Sequence, residues 1–211
     1  MHDFCYVSRK TAAPVKAELT GIIHQVQDIV RDKFTFQYYF VGSSSRNMIT
    51  YDKKSNVGFD FDVNIAVNDE DEKYSAKEIR TIIKDALNKT VRNYGYDYCE
   101  DSTSVLTIKK KDYRQSKIVH SCDFAIVYDC EDGRQQYIRY NKDKQNYTWE
   151  YRGGGFELLP DKISWLKKNS LWNELLDYYI WKKNNNNNPD KHSRSLYAES
   201  VAEVCRKNGY K

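Results

Sequence analysis

The sequence predicts an α/β (α+β) fold: a sheet flanked by helices, with a small helical region after it. Three observations predict this. Residues 15–32 set Leu19, Ile22, Ile23, Val26, Ile29 and Val30 at the i, i+3, i+4, i+7 spacing of an amphipathic helix, and residues 75–93 repeat it with Ile79, Ile82, Ile83, Ala86, Leu87 and Val91. The runs 59–67 and 118–130 alternate with the period of two that a half-buried strand requires. From Pro160 onward the pattern turns helical. At 211 residues and 40% hydrophobic composition, the chain can bury one fair-sized domain or a core with an appendage, which excludes a disordered protein.

Taken in order, the first helix opens near Pro14, which fits a first-turn proline. Residues 34–41 form an aromatic, β-rich run that ends at Gly42, where the chain can turn sharply, and Ser43 or Ser44 can cap a following helix. Residues 51–57 are polar and turn-like. In 59–67, Phe59, Phe61, Val63, Ile65 and Val67 share one side, and Asp60, Asp62, Asn64 and Ala66 share the other. An acidic loop at 69–73 precedes the second helix, which Gly95 ends. Residues 96–99 and 105–110 read as strands flanking a turn at Asp101 and Ser102. In 118–130, Ser121, Asp123 and Ala125 face one way, while His120, Cys122, Phe124 and Ile126 face the other. Glu131, Asp132 and Gly133 make a hairpin turn into strands at 135–141 and 146–152.

Gly153, Gly154 and Gly155 mark a flexible break, and no Lys-Ser/Thr pair follows them as a phosphate loop would need. The expected division is therefore a core at 1–155 and a helical region at 156–211. In the latter, Asp161 caps a helix at 163–168, a second runs over 171–183, and a third over 196–207. The asparagine run 184–188 reads as a low-complexity loop without chemistry.

Net charge is +4, and its excess lies in residues 161–211, which hold 10 Lys/Arg against 6 Asp/Glu, while 1–160 hold 24 of each. Four charges are too few to define a nucleic-acid surface, and a solvated helical face explains them. The five cysteines show no CxxC spacing, and the first ten residues lack the apolar segment of a signal peptide. Reduced thiols in a cytoplasm, with no membrane association, are the expectation.

The chemistry concentrates in two places. Asp60 and Asp62 point to the same face of a strand, about 6 to 7 Å apart along it, and repel unless a cation sits between them. Magnesium, hard and oxygen-seeking, is often held by one or two carboxylates together with substrate phosphates. Asp123 lies mid-strand among apolar and small residues, where an isolated carboxylate is costly unless paired or metal-bound. Gly42 and Ser43, turning toward a helix, offer backbone N–H groups of the kind that hold phosphate.

The run Gly42, Ser43, followed by Phe59, Asp60, Phe61, Asp62 and Val63, resembles the signature of the DNA polymerase β-like nucleotidyltransferases. The resemblance covers about residues 34 to 130. It implies a mixed, mostly antiparallel nucleotidyltransferase sheet. It also implies transfer of a nucleoside monophosphate from a nucleoside triphosphate to a hydroxyl acceptor. Asp60, Asp62 and Asp123 would then be the catalytic carboxylates and the ligands of two Mg2+ ions, with Mn2+ as a substitute. Gly42, Ser43 and Ser44 would cradle phosphates, and Arg46 would neutralise them. Ser43 and Asp60 stand farther apart than in compact members of the superfamily, so residues 48–57 form a loop or an extended helix. The short C-terminal region is closer in scale to small antibiotic-modifying or toxin–antitoxin-type members than to second-messenger cyclases. A small molecule or a protein is the expected acceptor, ahead of tRNA, and a protein partner or a homodimer is open. The expectation from a different class is an inactive scaffold that binds a nucleotide or a partner protein.

Overall fold

The computed structural model describes residues 2–69 and 71–210. A short strand β1 (Phe4–Tyr6) leads into helix α1 (Arg9–Val30). The helix starts six residues before the expected position because Ser8 caps it, its hydroxyl accepting from the Thr11 N–H at 3.1 Å. Pro14 therefore lies inside the helix and does not open it. Strand β2 (Thr35–Val41) runs into a single helical turn, α2 (Gly42–Ser45). Residues 48–57 hold strand β3 (Thr50–Asp52), which pairs with β1, and a turn, in place of a loop or an extended helix.

Strand β4 (Val57–Asn68) is followed by helix α3 (Ala76–Thr90), whose Ser75 and Glu78 form a reciprocal capping box. A 3-10 turn over Val91–Tyr94 then ends at Gly95, which adopts φ +77°. The expected strand at 96–99 does not form. The Cys99 N–H donates to the Asn88 side chain at 2.7 Å, so this segment is tied to α3 and not to a ladder. The remaining strands are β5 (Glu100–Asp101), β6 (Leu106–Asp112), β7 (Lys117–Asp129), β8 (Gln135–Asn141) and β9 (Asn146–Tyr151).

Seven of these strands form one sheet in the order β2-β4-β7-β6-β5, with β8 paired to the end of β7 and β9 to β8. Only β4 and β7 run parallel, so the sheet is mixed and mostly antiparallel. Its apolar face carries Phe61, Val63 and Ile65 from β4 and Cys122, Phe124 and Ile126 from β7. These pack with Leu19, Ile22 and Ile23 of α1 and Ile79 and Ile83 of α3. The alternation then forces the opposite parity, Asp60, Asp62 and Asp123 among it, onto the other face.

Contacts divide the chain into two units. One comprises Tyr6–Tyr51 and Asn56–Arg152; the other comprises the described residues up to Cys5, Asp52–Ser55 and those from Gly153 on. The second unit holds α4 (Leu159–Lys168), α5 (Trp172–Asn184) and α6 (Ser193–Lys207), packed through Leu166, Leu175, Tyr179, Val201 and Val204. Asp161 sits within the first turn of α4 and does not cap it, because the helix begins at Leu159. Asn184, first of the asparagine run, closes α5. Its amide clips the main chain of Phe4 from both sides, accepting from the N–H at 2.6 Å and donating to the carbonyl at 3.2 Å. No helix among the described residues is long and apolar enough to cross a membrane.

Arg80 on α3 is the largest fully buried side chain among the described residues, with 1% of its surface exposed. It bonds Asp101 at 2.8 Å and the carbonyls of Ser102 and Val105 at 2.7 and 2.9 Å, and its guanidinium lies over the Tyr147 ring. Arg80→Leu leaves Asp101 without its guanidinium partner and removes a donor from the Ser102 carbonyl, while the Val105 carbonyl keeps the Ser102 N–H and hydroxyl. A loss of about 3 kcal/mol in urea denaturation is expected; a loss below about 1 kcal/mol would show that the pair is dispensable.

Candidate active site

Register brings the acids together. Asp62 on β4 stands opposite Val41 at the end of β2 and opposite Asp123 on β7. Asp60, two residues earlier, stands opposite Ser121. One carboxylate oxygen from each of Asp60, Asp62 and Asp123 can be chosen so that all lie within 4.8 Å of one another. Asp60 opens to solvent, and the other two are half-buried.

Two hydroxyls fix the outer carboxylates. Ser121 Oγ donates to Asp60 Oδ1 at 2.5 Å, and Thr107 Oγ1 donates to Asp123 Oδ1 at 2.5 Å. Neither hydroxyl compensates charge fully. Desolvation by the surrounding strands, then the charge of Asp123, pushes the Asp60 carboxyl up to about 7. The same two causes raise Asp62, against the pull of Arg46 and Arg152. Desolvation raises Asp123, against the Thr107 hydrogen bond and the charge of Lys109. Lys109 Nζ itself donates to Glu100 at 2.5 Å, which leaves it beside the acids and not among them. Three oxygen donors of shared sign, raised together and within one ion's reach of each other, fit a hard divalent cation.

Gly42 closes the other side. It adopts φ +64°, and a Cβ built there would overlap the Asp62 carboxylate, so only a hydrogen fits between β2 and the acid. The serines do not cap α2 as expected. Val41 occupies the cap position, and Ser44 and Ser45 donate backward to the carbonyls of Val41 and Gly42 at 2.7 and 3.0 Å. Gly42, Ser43 and Ser44 nevertheless supply the first-turn amides of α2, which have no intrahelical acceptors. Arg46, just after the turn, is near enough to lower Asp62. Sequence reasoning missed Thr107, Lys109, Ser121 and Arg152. Ser121 carried a signal, since it shares the Asp123 face; the others depend on which strands become neighbours.

The raised carboxyls make the cation-free protein sensitive to pH. A group that holds its proton to about 7 when folded, against 3.8 in the open chain, favours the folded state in its protonated form. Stability therefore falls as pH rises from about 4 through about 7. In cation-free buffer at pH 8, Asp60→Asn is expected to melt a few degrees above wild type, with the gap closing toward pH 5. Equal melting temperatures at pH 8 would contradict the strain.

No protein-family model matches the sequence, and no curated protein sequence does. Solved structures match it by fold. Vibrio cholerae DncV in its 3'-deoxy ATP bound form aligns with TM-score 0.57 at 15% identity, over 89% of this chain and 50% of that one. Vibrio cholerae DncV cyclic AMP-GMP synthase, in complex with the linear intermediate 5' pppA(3',5')pG, aligns with TM-score 0.62 at 12% identity, over 94% of this chain and 68% of that one. The STING-associated CdnE c-di-GMP synthase of Capnocytophaga granulosa aligns with TM-score 0.59 at 16% identity, over 96% and 62%. This chain spans half the length of the first of these and about two thirds of the other two. Identities this low establish the architecture alone. With its mixed, mostly antiparallel sheet, its Gly-Ser turn and its acids on paired strands, the chain shares the fold of these synthases, a nucleotidyltransferase fold.

Proposed function

We propose that the chain is a metal-dependent nucleotidyltransferase that moves a nucleoside monophosphate from a nucleoside triphosphate to a hydroxyl. The observation that carries this reading is the convergence of Asp60, Asp62 and Asp123 within 4.8 Å, beside a glycine that admits no side chain. Asp60, Asp62 and Asp123 would hold two Mg2+ ions, or Mn2+ in their place. When bound, such ions polarise phosphoryl oxygens and lower the pKa of an attacking hydroxyl.

The chain's own residues do the rest. Backbone amides at Gly42, Ser43 and Ser44 hold the outer phosphates, and Arg46 offsets their charge. Asp123, with its carboxyl raised, accepts the proton of the attacking hydroxyl, and Thr107 keeps that carboxylate oriented. The oxygen attacks the α-phosphorus, the bond to the bridging oxygen breaks, and pyrophosphate leaves. We favour a small-molecule acceptor. The fold neighbours described above are cyclic dinucleotide synthases, which supports the ribose hydroxyl of a second nucleotide as that acceptor. The free thiols of Cys5, Cys99, Cys122, Cys130 and Cys205 support a cytoplasmic setting. An inactive scaffold has no use for acids crowded at this cost, which disfavours the binding-only alternative.

The test is incubation with the four nucleoside triphosphates, singly and in pairs, with Mg2+. Pyrophosphate and nucleotidyl products are then read by mass spectrometry. Asp62→Ala and Asp123→Ala are expected to lower turnover by more than about 100-fold, beyond what losing a supporting contact costs, with circular dichroism unchanged. Wild-type turnover in both variants would end the proposal.

A further inference from the structure

Asn64 follows Asp62 by two residues on the same strand face, yet it is 2% exposed. An amide buried inside a strand is costly unless its hydrogen bonds are made. Its Oδ1 accepts from Arg152 Nη2 at 2.9 Å, and its Nδ2 reaches Gln135 Oε1 at 3.4 Å. Gln135 is fixed in turn, its Nε2 donating to Tyr39 Oη at 2.7 Å and to Asp129 at 2.5 Å. The main chain of Arg152 is tied to the same place, its N–H donating to the Gln135 carbonyl at 2.9 Å. Arg152 thus leaves β9 with both its backbone and its guanidinium held, and its charge falls on Asp62.

Arg152 is exposed, yet its guanidinium is tied to a buried amide, and a counter-charge for Asp62 could be supplied by Arg46 alone. What a fixed guanidinium adds is direction. Its planar fork matches a phosphate oxygen pair, and holding the fork in place beforehand removes the entropy of ordering a long side chain on binding. Any nucleotide engaging Asp62 brings its phosphates beside this group. We propose that Arg152 binds the polyphosphate of the nucleotide substrate and that Asn64 is the residue that positions it. This rests on the nucleotidyltransferase reading.

The test uses inorganic tripolyphosphate and a nucleoside triphosphate as ligands of the full chain, with Mn2+ binding followed separately by calorimetry. Arg152→Ala is expected to weaken binding of both ligands by at least about tenfold, as for a lost hydrogen bond to a charged group. It should raise KM more than it lowers kcat and leave Mn2+ binding in place. Arg152→Lys should recover part of the loss by charge alone. Asn64→Ser should reproduce the KM increase in a folded protein, and its effect should not add to that of Arg152→Ala, because both act through one guanidinium. Unchanged tripolyphosphate affinity in Arg152→Ala, or a changed Mn2+ affinity without a KM effect, would overturn the assignment and leave Arg152 a structural counter-charge. If the wild-type chain neither binds nor turns over any triphosphate, the nucleotidyltransferase reading fails, and this inference fails with it.

Discussion

Mutual repulsion of three carboxylates on one sheet face is the constraint around which the sheet-bearing unit is organised. Asp60, Asp62 and Asp123 would separate if their backbones allowed it. The parallel pairing of β4 with β7 forbids this, since it places Asp62 directly opposite Asp123 and Asp60 opposite Ser121. The strands are held in that register by the apolar residues of the other face, where a slip of one position would expose Phe61, Val63, Phe124 and Ile126 to water. The hydrophobic core thus confines the acids, whose carboxyls are raised first by desolvation and, at Asp60 and Asp62, also by the charge of Asp123.

Around the acids, each neighbour relieves part of the repulsion without removing it. Ser121 and Thr107 donate single hydrogen bonds from the adjacent strands. Lys109 is drawn aside by Glu100, and Arg46 and Arg152 lie on the Asp62 side. One carboxylate oxygen from each acid still lies within 4.8 Å of the other two, within the reach of a single cation. Gly42 has the same logic in the backbone: a side chain there would overlap the Asp62 carboxylate.

The elements that position this face were legible because they are long and strictly periodic. The apolar stripe of α1, the alternation of β4 and the parity of Asp123 within β7 follow from residue spacing alone. Elements set by local polar bonds were not. The start of α1 lies in Arg9, Lys10 and Thr11, which carry no apolar stripe, and it is fixed by the Ser8 hydroxyl. Residues 96–99 look extended, but the Asn88 amide captures the Cys99 N–H. Thr107 and Arg152 escaped notice for another reason. Their place at the site depends on β6 lying beside β7 and on where β9 ends, and a single sequence does not state strand order. Arg80 is hidden in the same way, because its burial requires the Asp101 turn to fold over α3.

If the acids are crowded in order to hold a cation, binding that cation must expel the proton that the crowding retains. Calorimetric titration with Mn2+ at pH 6.5, repeated in two buffers of different ionisation enthalpy, reads both events at once. The predicted result is saturable binding with net proton release, both abolished in Asp62→Asn. Absence of binding, or binding without proton release that persists in that variant, would contradict the account.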